Sequence, residues 1–411
     1  MGVSGVICEF NPFHNGHAYL LSRMREAVGG EGCVICLMSG RFVQRGEAAV
    51  ADPYLRGRMA LAGGADLVLE LPFPWSASGA EHFATAGVRV LSRLSVDTLT
   101  FGSERGDLTL LSAAAEALDS PLFGETYANL CNAGMGTATA YVEALRRVSP
   151  CSLPDDFPAS NDLLGIAYLR AIRRVQAEQA TSLIPHVVTR LGSGYREDTL
   201  TEGAFPSATA LRILLREAAC DPVALSAMLE GSMPDRALAI LLEAISRGDA
   251  PTEGDPLLPF YHTLYRLKSP ADMETLAEWG GGLAGHICRQ ARKSATAKEF
   301  FESLRTKQYT DARLRRALLF GALGVTEQDL RAMPAYTTLL AANQRGRAYL
   351  KAWQKANRDA PDGFAVVTKP ADAPEGRQKE LSDLADGLFT LCFPTPKEAG
   401  AMYKRGPWIR E

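Results

Sequence analysis

The first half of the chain alternates short apolar runs with segments of helical periodicity, and no other feature limits the possible folds as strongly. The runs cover residues 3–8, 33–38, 66–71, 97–101 and 183–189. In the first segment between them, Ala18, Leu21, Met24 and Val28 fall on one helical face, and Gly29-Gly30 stops the helix. The second opens at Asp52-Pro53, an N-cap followed by proline at the first helical position, and closes at Gly63-Gly64. The third covers residues 80–94. A β-α-β-α order needs crossover helices, so it predicts an α/β fold with a doubly wound parallel sheet and helices on both faces. Residues 107–180 read as a mostly helical insertion between the fourth and fifth strands. Beyond Pro206 the strand signal fades. Segment 206–335 reads as helical with breaks such as "GDAPTEGDPLLP", a short β-like run covers 364–368, and 369–381 is polar and proline-rich. The expected division is a sheet domain, 1–215, followed by a mainly helical region, 216–411.

With 411 residues there is room for roughly two or three domains. The net charge of −3 neither supports nor excludes a nucleic-acid partner, so a local basic surface would have to serve. No apolar run approaches the roughly twenty residues of a membrane span. The N-terminus lacks the basic start and long apolar core of a signal peptide, so a cytoplasmic protein is expected. Eight cysteines are scattered along the chain. Cys33 and Cys36 form a Cys-x-x-Cys inside a strand-like run with no second pair nearby, and they read as reduced core thiols.

Ligands of open parallel sheets bind beyond the carboxyl ends of the strands. The expected strand ends lead into Glu9-Phe10-Asn11-Pro12-Phe13-His14-Asn15-Gly16-His17, "SGRFVQRGE" (39–47), "PFPW", "GSERG" (102–106) and "RLGSGYRED" (190–198). Four of these five carry glycine with polar or charged groups, a pattern suited to one phosphate site. A helix beginning near Gly16 points free N–H groups and its positive end at the strand ends. His14 and His17 would then both reach one phosphate. Phosphoryl and nucleotidyl transfer need positioning and charge stabilisation, which this arrangement supplies. Two other readings compete: His14 caps the helix while His17 is a surface residue, or the pair shares a zinc ion, although no further metal signature accompanies them.

Segment 286–316 holds nine cations against three anions, net +6. Its Tyr309 could stack on a base. The loop with Arg41, Gln44, Arg45 and Glu47 reads as solvated or as a lid at the active site. Glu70 reads as a satisfied buried carboxylate, and Glu104 as ambiguous.

The sequence of His14 to His17 after a first strand resembles the His-x-Gly-His nucleotidyltransferase superfamily, whose second element matches "PSATALR", 206–212. The match extends further. "EFNPFHNGH", "MSGRFVQRGE", "DLVLELPFPW", "FGSE", "SNDLLGIAYLRAI" and "PSATALR", in that order and spacing, resemble the bacterial tRNA(Met) cytidine acetate ligases. So does "LRTKQYTDARLRRALL", 304–319. The resemblance spans roughly residues 3 to 370.

It implies a Rossmann-like nucleotidyltransferase domain in 1–215 and a tRNA-binding region in 216–411. The implied enzyme uses ATP, with Mg²⁺, to convert acetate to acetyl-adenylate and pyrophosphate. It then acetylates N4 of the wobble cytidine of elongator tRNA(Met), giving N4-acetylcytidine and AMP. No membrane and no stable protein partner are implied. Carried over residue by residue, the ATP site comprises Ile7, Cys8, Glu9, Phe10, Asn11, Pro12, Phe13, His14, Asn15, Gly16, His17, Ala18, Tyr19 and Leu20, with His14 and His17 as catalytic residues on the phosphates. Gly102 lets the nucleotide pack against the fourth strand end, Asn161 bonds the nucleotide or orients the substrate, and Arg190 contacts phosphate or nucleotide. Ser207, Thr209 and Arg212 bind the leaving pyrophosphate, the arginine as a fork-shaped donor. Arg289, Arg292, Lys293, Lys307, Arg313, Arg315 and Arg316 are the expected grip on RNA. Family members often have Tyr where Phe10 stands, Asn at Arg41, Asn at Asp162 and His at Arg196. The departures at Arg41 and Asp162 leave room for an altered acceptor or acyl donor. Two other functions fit the same residues: a small-molecule nucleotidyltransferase, and a tRNA-binding protein without catalysis.

Overall fold

The structure is a computed structural model and describes residues 2–178, 181–190, 207–218, 222–306, 308–358 and 363–410. Strands form where the apolar runs predict them: β1 Val3–Cys8, β2 Cys33–Ser39, β3 Leu67–Leu71, β4 Thr98–Ser103 and β5 Ile184–Thr189. All five are parallel, in the order β5-β4-β1-β2-β3. The crossovers are α1 Asn15–Val28, α2 Pro53–Ala62 and α3 Ala80–Arg93. Asp52 caps α2 by accepting from the Leu55 amide, with Pro53 opening the helix as expected. The insertion is four helices, α4 Leu108–Asp119, α5 Pro121–Asn132, α6 Thr137–Val148 and α7 Ser160–Glu178. Every residue of β2 and β3 is buried because helices cover both faces. One hydrophobic cluster takes Val6, Val34 and Cys36, the other Val3, Ile7, Cys33 and Ile35. Cys33 and Cys36 are thus buried free thiols on opposite faces of one strand.

The sheet does not end at β3. Tyr336–Ala342 forms β6, antiparallel to β3 with Leu67 opposite Ala342. Ala365–Val367, inside the expected run 364–368, forms β7, and Trp408–Ile409 forms β8; both run parallel to β6. The sheet is therefore mixed. The sequence reading contains no strand at β6, whose second half, Leu-Leu-Ala-Ala, carries no strand preference of its own. Burial on both faces against β3 decides its conformation. The core also crosses residue 215. Leu211 and Leu215 of α8, Ala208–Ala218, pack in the same cluster as Phe10, Phe13, Leu225, Leu229 and Phe389. Among the described residues no helix is long and apolar enough to cross a membrane.

Candidate active site

The chain turns sharply after β1. Phe10 adopts a left-handed backbone, φ 44°, rare for a bulky residue and tolerated where the surroundings over-determine it. Its ring is buried, edge-on to Phe13 and 4.7 Å from the His17 ring. Asn11 pins the turn by accepting from the Val50 amide at 2.7 Å.

His14 is the N-cap of α1, so the capping reading is realised, but for both histidines at once. His14 Nδ1 accepts from the Gly16 amide at 3.0 Å, and His17 Nδ1 accepts from the His14 amide at 3.3 Å. The two imidazoles stack with centroids 3.7 Å apart. Because each Nδ1 is an acceptor, each proton sits on Nε2, and the pair presents two N–H donors. Burial holds His14 at a pKa of about 3, with Arg190 adding to the effect. Burial likewise holds His17 well below its ordinary value, and His14 and Arg190 push the same way. Both rings are therefore neutral. Gly16 is required by geometry: a Cβ there would meet His14 Cε1 at 2.8 Å.

The helix start differs from the expectation in one respect. Its amides are not free. Besides the two bonds above, the Asn15 amide donates to Ser232 O and the His17 amide to His14 O. Asn15 Nδ2 also donates to Gly231 O at 2.7 Å, so residues beyond 216 clamp this turn. A phosphate here would meet imidazole Nε2–H groups in place of main-chain donors.

Of the other expected residues, Arg190 acts electrostatically on both imidazoles and Arg212 reaches the loop before them. Arg190 follows β5, its amide bonded to Ser103 O at 3.0 Å. Its side-chain stem lies over Gly102, where a Cβ would be 3.2 Å from Arg190 Cγ. Ser207 caps α8 by accepting from the Ala210 amide at 3.1 Å. Arg212 donates to Asn11 O at 2.9 Å and to Thr209 Oγ1 at 3.2 Å, joining the two motifs. Asn161 donates to Glu104 Oε1 at 2.6 Å, and Glu104 also accepts from the Asn161 and Asp162 amides. Glu104 thereby seats the start of α7 at the end of β4. Pro206, Arg196 and the rest of 191–206 lie outside the described residues.

The two departures are committed inside the protein. Arg41 is buried between Glu70 and Asp386, at 2.5 Å to each. Burial works against its charge, and the two carboxylates more than offset this. Asp162 accepts from Ser103 Oγ at 2.6 Å and from the Glu104 and Ala159 amides. Arg56 was not anticipated. It is fully buried on α2, where it donates to Ala51 O, Glu9 O, Ser39 O and Gly40 O, lashing together the loops after β1 and β2. Buried on nearly every side, α2 shows no amphipathic pattern that would single out an inward arginine.

The loop after β2 links the site to the basic segment. Glu9 accepts from the Gln44 amide at 2.9 Å, and burial raises its pKa. Glu47 pairs with Arg315 at 2.8 Å. In the helix Asp311–Leu323, Arg316 pairs with Glu278 at 2.6 Å, and Arg313 donates to the Glu278 and Gly280 carbonyls. Arg292 donates to Lys268 O, Arg289 contacts His286, and Lys293 is exposed. Lys307 lies outside the described residues. Tyr309 is buried with its hydroxyl donating to Gly281 O at 2.7 Å, so its ring is packed and not offered to a base.

Among the described residues no three His, Cys, Asp or Glu side chains converge on a metal position. Mg²⁺ in nucleotide sites is carried mainly by substrate phosphates and one or two carboxylates. Glu104 is committed to α7, and Glu9 to Gln44. The described residues build no cage of their own for the ion.

A family model described as HIGH Nucleotidyl Transferase matches residues 1–402. The tRNA(Met) cytidine acetate ligase of Acetivibrio thermocellus is 33% identical over 410 residues, covering 96% of each chain. The chain belongs to the tRNA(Met) cytidine acetate ligase family. The member from Syntrophotalea carbinolica is 34% identical over 374 residues, covering 87% of this chain and 84% of the other. Among solved structures, apo Thermotoga maritima TmcAL superposes with a TM-score of 0.87 at 27% identity over the whole of both chains. TmcAL bound with alpha-thio ATP gives 0.83 at 28% identity, again over both whole chains.

Proposed function

We propose that the protein is an ATP-dependent acetate ligase acting on elongator tRNA(Met), in the cytoplasm where that RNA resides. An acetate oxygen attacks the α-phosphorus of ATP, the bond to pyrophosphate breaks, and acetyl-adenylate forms. The wobble cytidine N4 then attacks the acetyl carbon, the bond to the AMP oxygen breaks, and N4-acetylcytidine results. The observation that carries the reading is the stacked pair His14 and His17, with both Nδ1 atoms held as acceptors and both Nε2–H groups left to donate. Neutral N–H donors fixed in a packed site stabilise charge developing on phosphate without reorganising. Arg190, with its stem on Gly102, and Arg212, fixed between Asn11 and Thr209, would supply positive charge to the phosphates. Ser207 and Thr209 start α8 toward the departing pyrophosphate. Asn161, oriented by Glu104, would bond the nucleotide.

The test is incubation with ATP, labelled acetate and a transcript of elongator tRNA(Met), following pyrophosphate, AMP and label in RNA, with His17→Ala beside it. Label in RNA that requires ATP and His17 is expected. Pyrophosphate release without labelled RNA would move the acceptor elsewhere, to a small-molecule nucleotidyltransferase. Bound tRNA with no pyrophosphate release would leave a non-catalytic RNA-binding protein.

A further inference from the structure

The helix Gln344–Ala356 carries a stripe of cations that the described fold does not neutralise. Residues 343–358 contain Arg345, Arg347, Lys351, Lys355 and Arg358 and no acid, in a chain of net charge −3. Arg345 pairs with Asp66 at 3.1 Å. The other four are exposed, and none forms an ion pair with a described residue. The next acids, Asp359 and Asp362, lie outside the described residues.

Arg347, Lys351 and Lys355 stand at i, i+4 and i+8, about 6 Å apart along the axis. Arg358 follows just past the helix end. The stripe faces away from Gly346, Leu350 and Trp353, which are buried. Trp353 Nε1 donates to Arg93 O at 2.8 Å and the Tyr349 hydroxyl donates to Leu94 O, so the helix cannot roll to hide its charge. Like charges one turn apart repel, and solvated helix faces usually interleave acids. None is interleaved here. The exposed residues among the cations are Ala348, Ala352, Gln354 and Ala356, with no large apolar side chain to enter a lipid surface.

We propose that this stripe grips the phosphate backbone of the tRNA substrate, away from the catalytic edge. The placement follows from the sheet. Asn343, which caps the helix, bonds to Asp66, the residue before β3. The helix therefore starts at the amino end of the strands, whereas His14 follows the carboxyl end of parallel β1. An RNA with its anticodon at His14 reaches the stripe with a different part of its backbone. Phosphate contacts of this kind position the RNA and carry no sequence information. This inference rests on the tRNA-ligase reading.

The experiment compares wild type with the fourfold variant Arg347→Gln, Lys351→Gln, Lys355→Gln, Arg358→Gln. Affinity for a tRNA(Met) transcript is titrated across salt concentrations, and acetate-dependent exchange of pyrophosphate into ATP is measured without RNA. Expected is a tRNA affinity at least tenfold weaker, with the slope of log K against log salt smaller by about 3, and unchanged exchange. The Lys351→Arg, Lys355→Arg variant should keep wild-type affinity, because charge matters and not the side chain that bears it. Equal affinity and slope in wild type and the fourfold variant would overturn the inference alone. Wild type that binds no tRNA would sink the ligase reading with it. Loss of binding to phosphatidylserine vesicles with tRNA affinity intact would assign the stripe to a lipid surface and overturn it too.

Discussion

Two basic helices of this protein use their cations differently. In Asp311–Leu323 the arginines turn inward: Arg313 and Arg316 converge on Glu278, and Arg315 on Glu47. In Gln344–Ala356, Arg347, Lys351 and Lys355 stay in solvent with no partner among the described residues. The first set braces the loop that reaches Glu9. The second braces nothing. The wider stretch 286–316, which contains the first helix, carries net +6 and drew the expected grip on RNA. The contrast teaches that cation density in a sequence does not measure the charge available to a polyanion, because ion pairs consume it.

That contrast can be broken or sharpened by measurement. Arg41 is the extreme of an inward cation. Arg41→Ala strands Glu70 and Asp386 in the core and should lower stability by about 3–5 kcal/mol, read from the urea midpoint; a loss under about 1 kcal/mol would mean that water relieves the triad. Glu278→Ala leaves the partly buried Arg316 without its carboxylate and should cost about 1–3 kcal/mol. If that variant melts like wild type, the helix Asp311–Leu323 is as free for RNA as the other, and the contrast fails.

Protonation probes the packed histidines in the same way. The unfolded His14 takes a proton below about pH 6.5, while the folded one resists until about pH 3. His17 is shifted the same way. Above pH 6.5 neither contributes. Stability should fall as pH drops from about 6.5 toward 3, by up to about 1.4 kcal/mol per pH unit from His14, with His17 adding a fall in the same direction. The variant His14→Asn, His17→Asn should flatten that part of the pH profile, and an unaltered slope would place its origin elsewhere. The smallest effect belongs to the outward helix. Lys351→Gln removes the repulsion with Arg347 and with Lys355 and should change stability by less than about 0.5 kcal/mol, toward greater stability. A clear destabilisation would show that Lys351 has a partner within the fold.

Much of the architecture is legible in the chain. The five parallel strands, the Asp52-Pro53 start of α2 and the Gly29 stop of α1 follow from periodicity and capping, which act over a few residues. The candidate site is legible as a set, because strand ends of a parallel sheet converge and the residues after them are chemically distinctive. What stayed hidden depends on partners far apart in sequence. β6 is a strand because β3 lies beside it. Arg56 matters because four carbonyls from the two segments that follow β1 and β2 meet it. Arg41 and Asp162 look like altered specificity residues until Asp386 and Ser103 are seen to hold them.

Local chemistry alone thus settled where the chain bends, caps and alternates, and it put His14 and His17 at the head of a helix. Only the folded molecule decided which nitrogen of each imidazole carries the proton, since that depends on the Gly16 and His14 amides being aimed at Nδ1. It also decided which cations are free. Hydrogen bonds and ion pairs are won by atoms brought within about 3 Å, and for Arg316 and Glu278 that approach spans 38 residues that no local pattern connects.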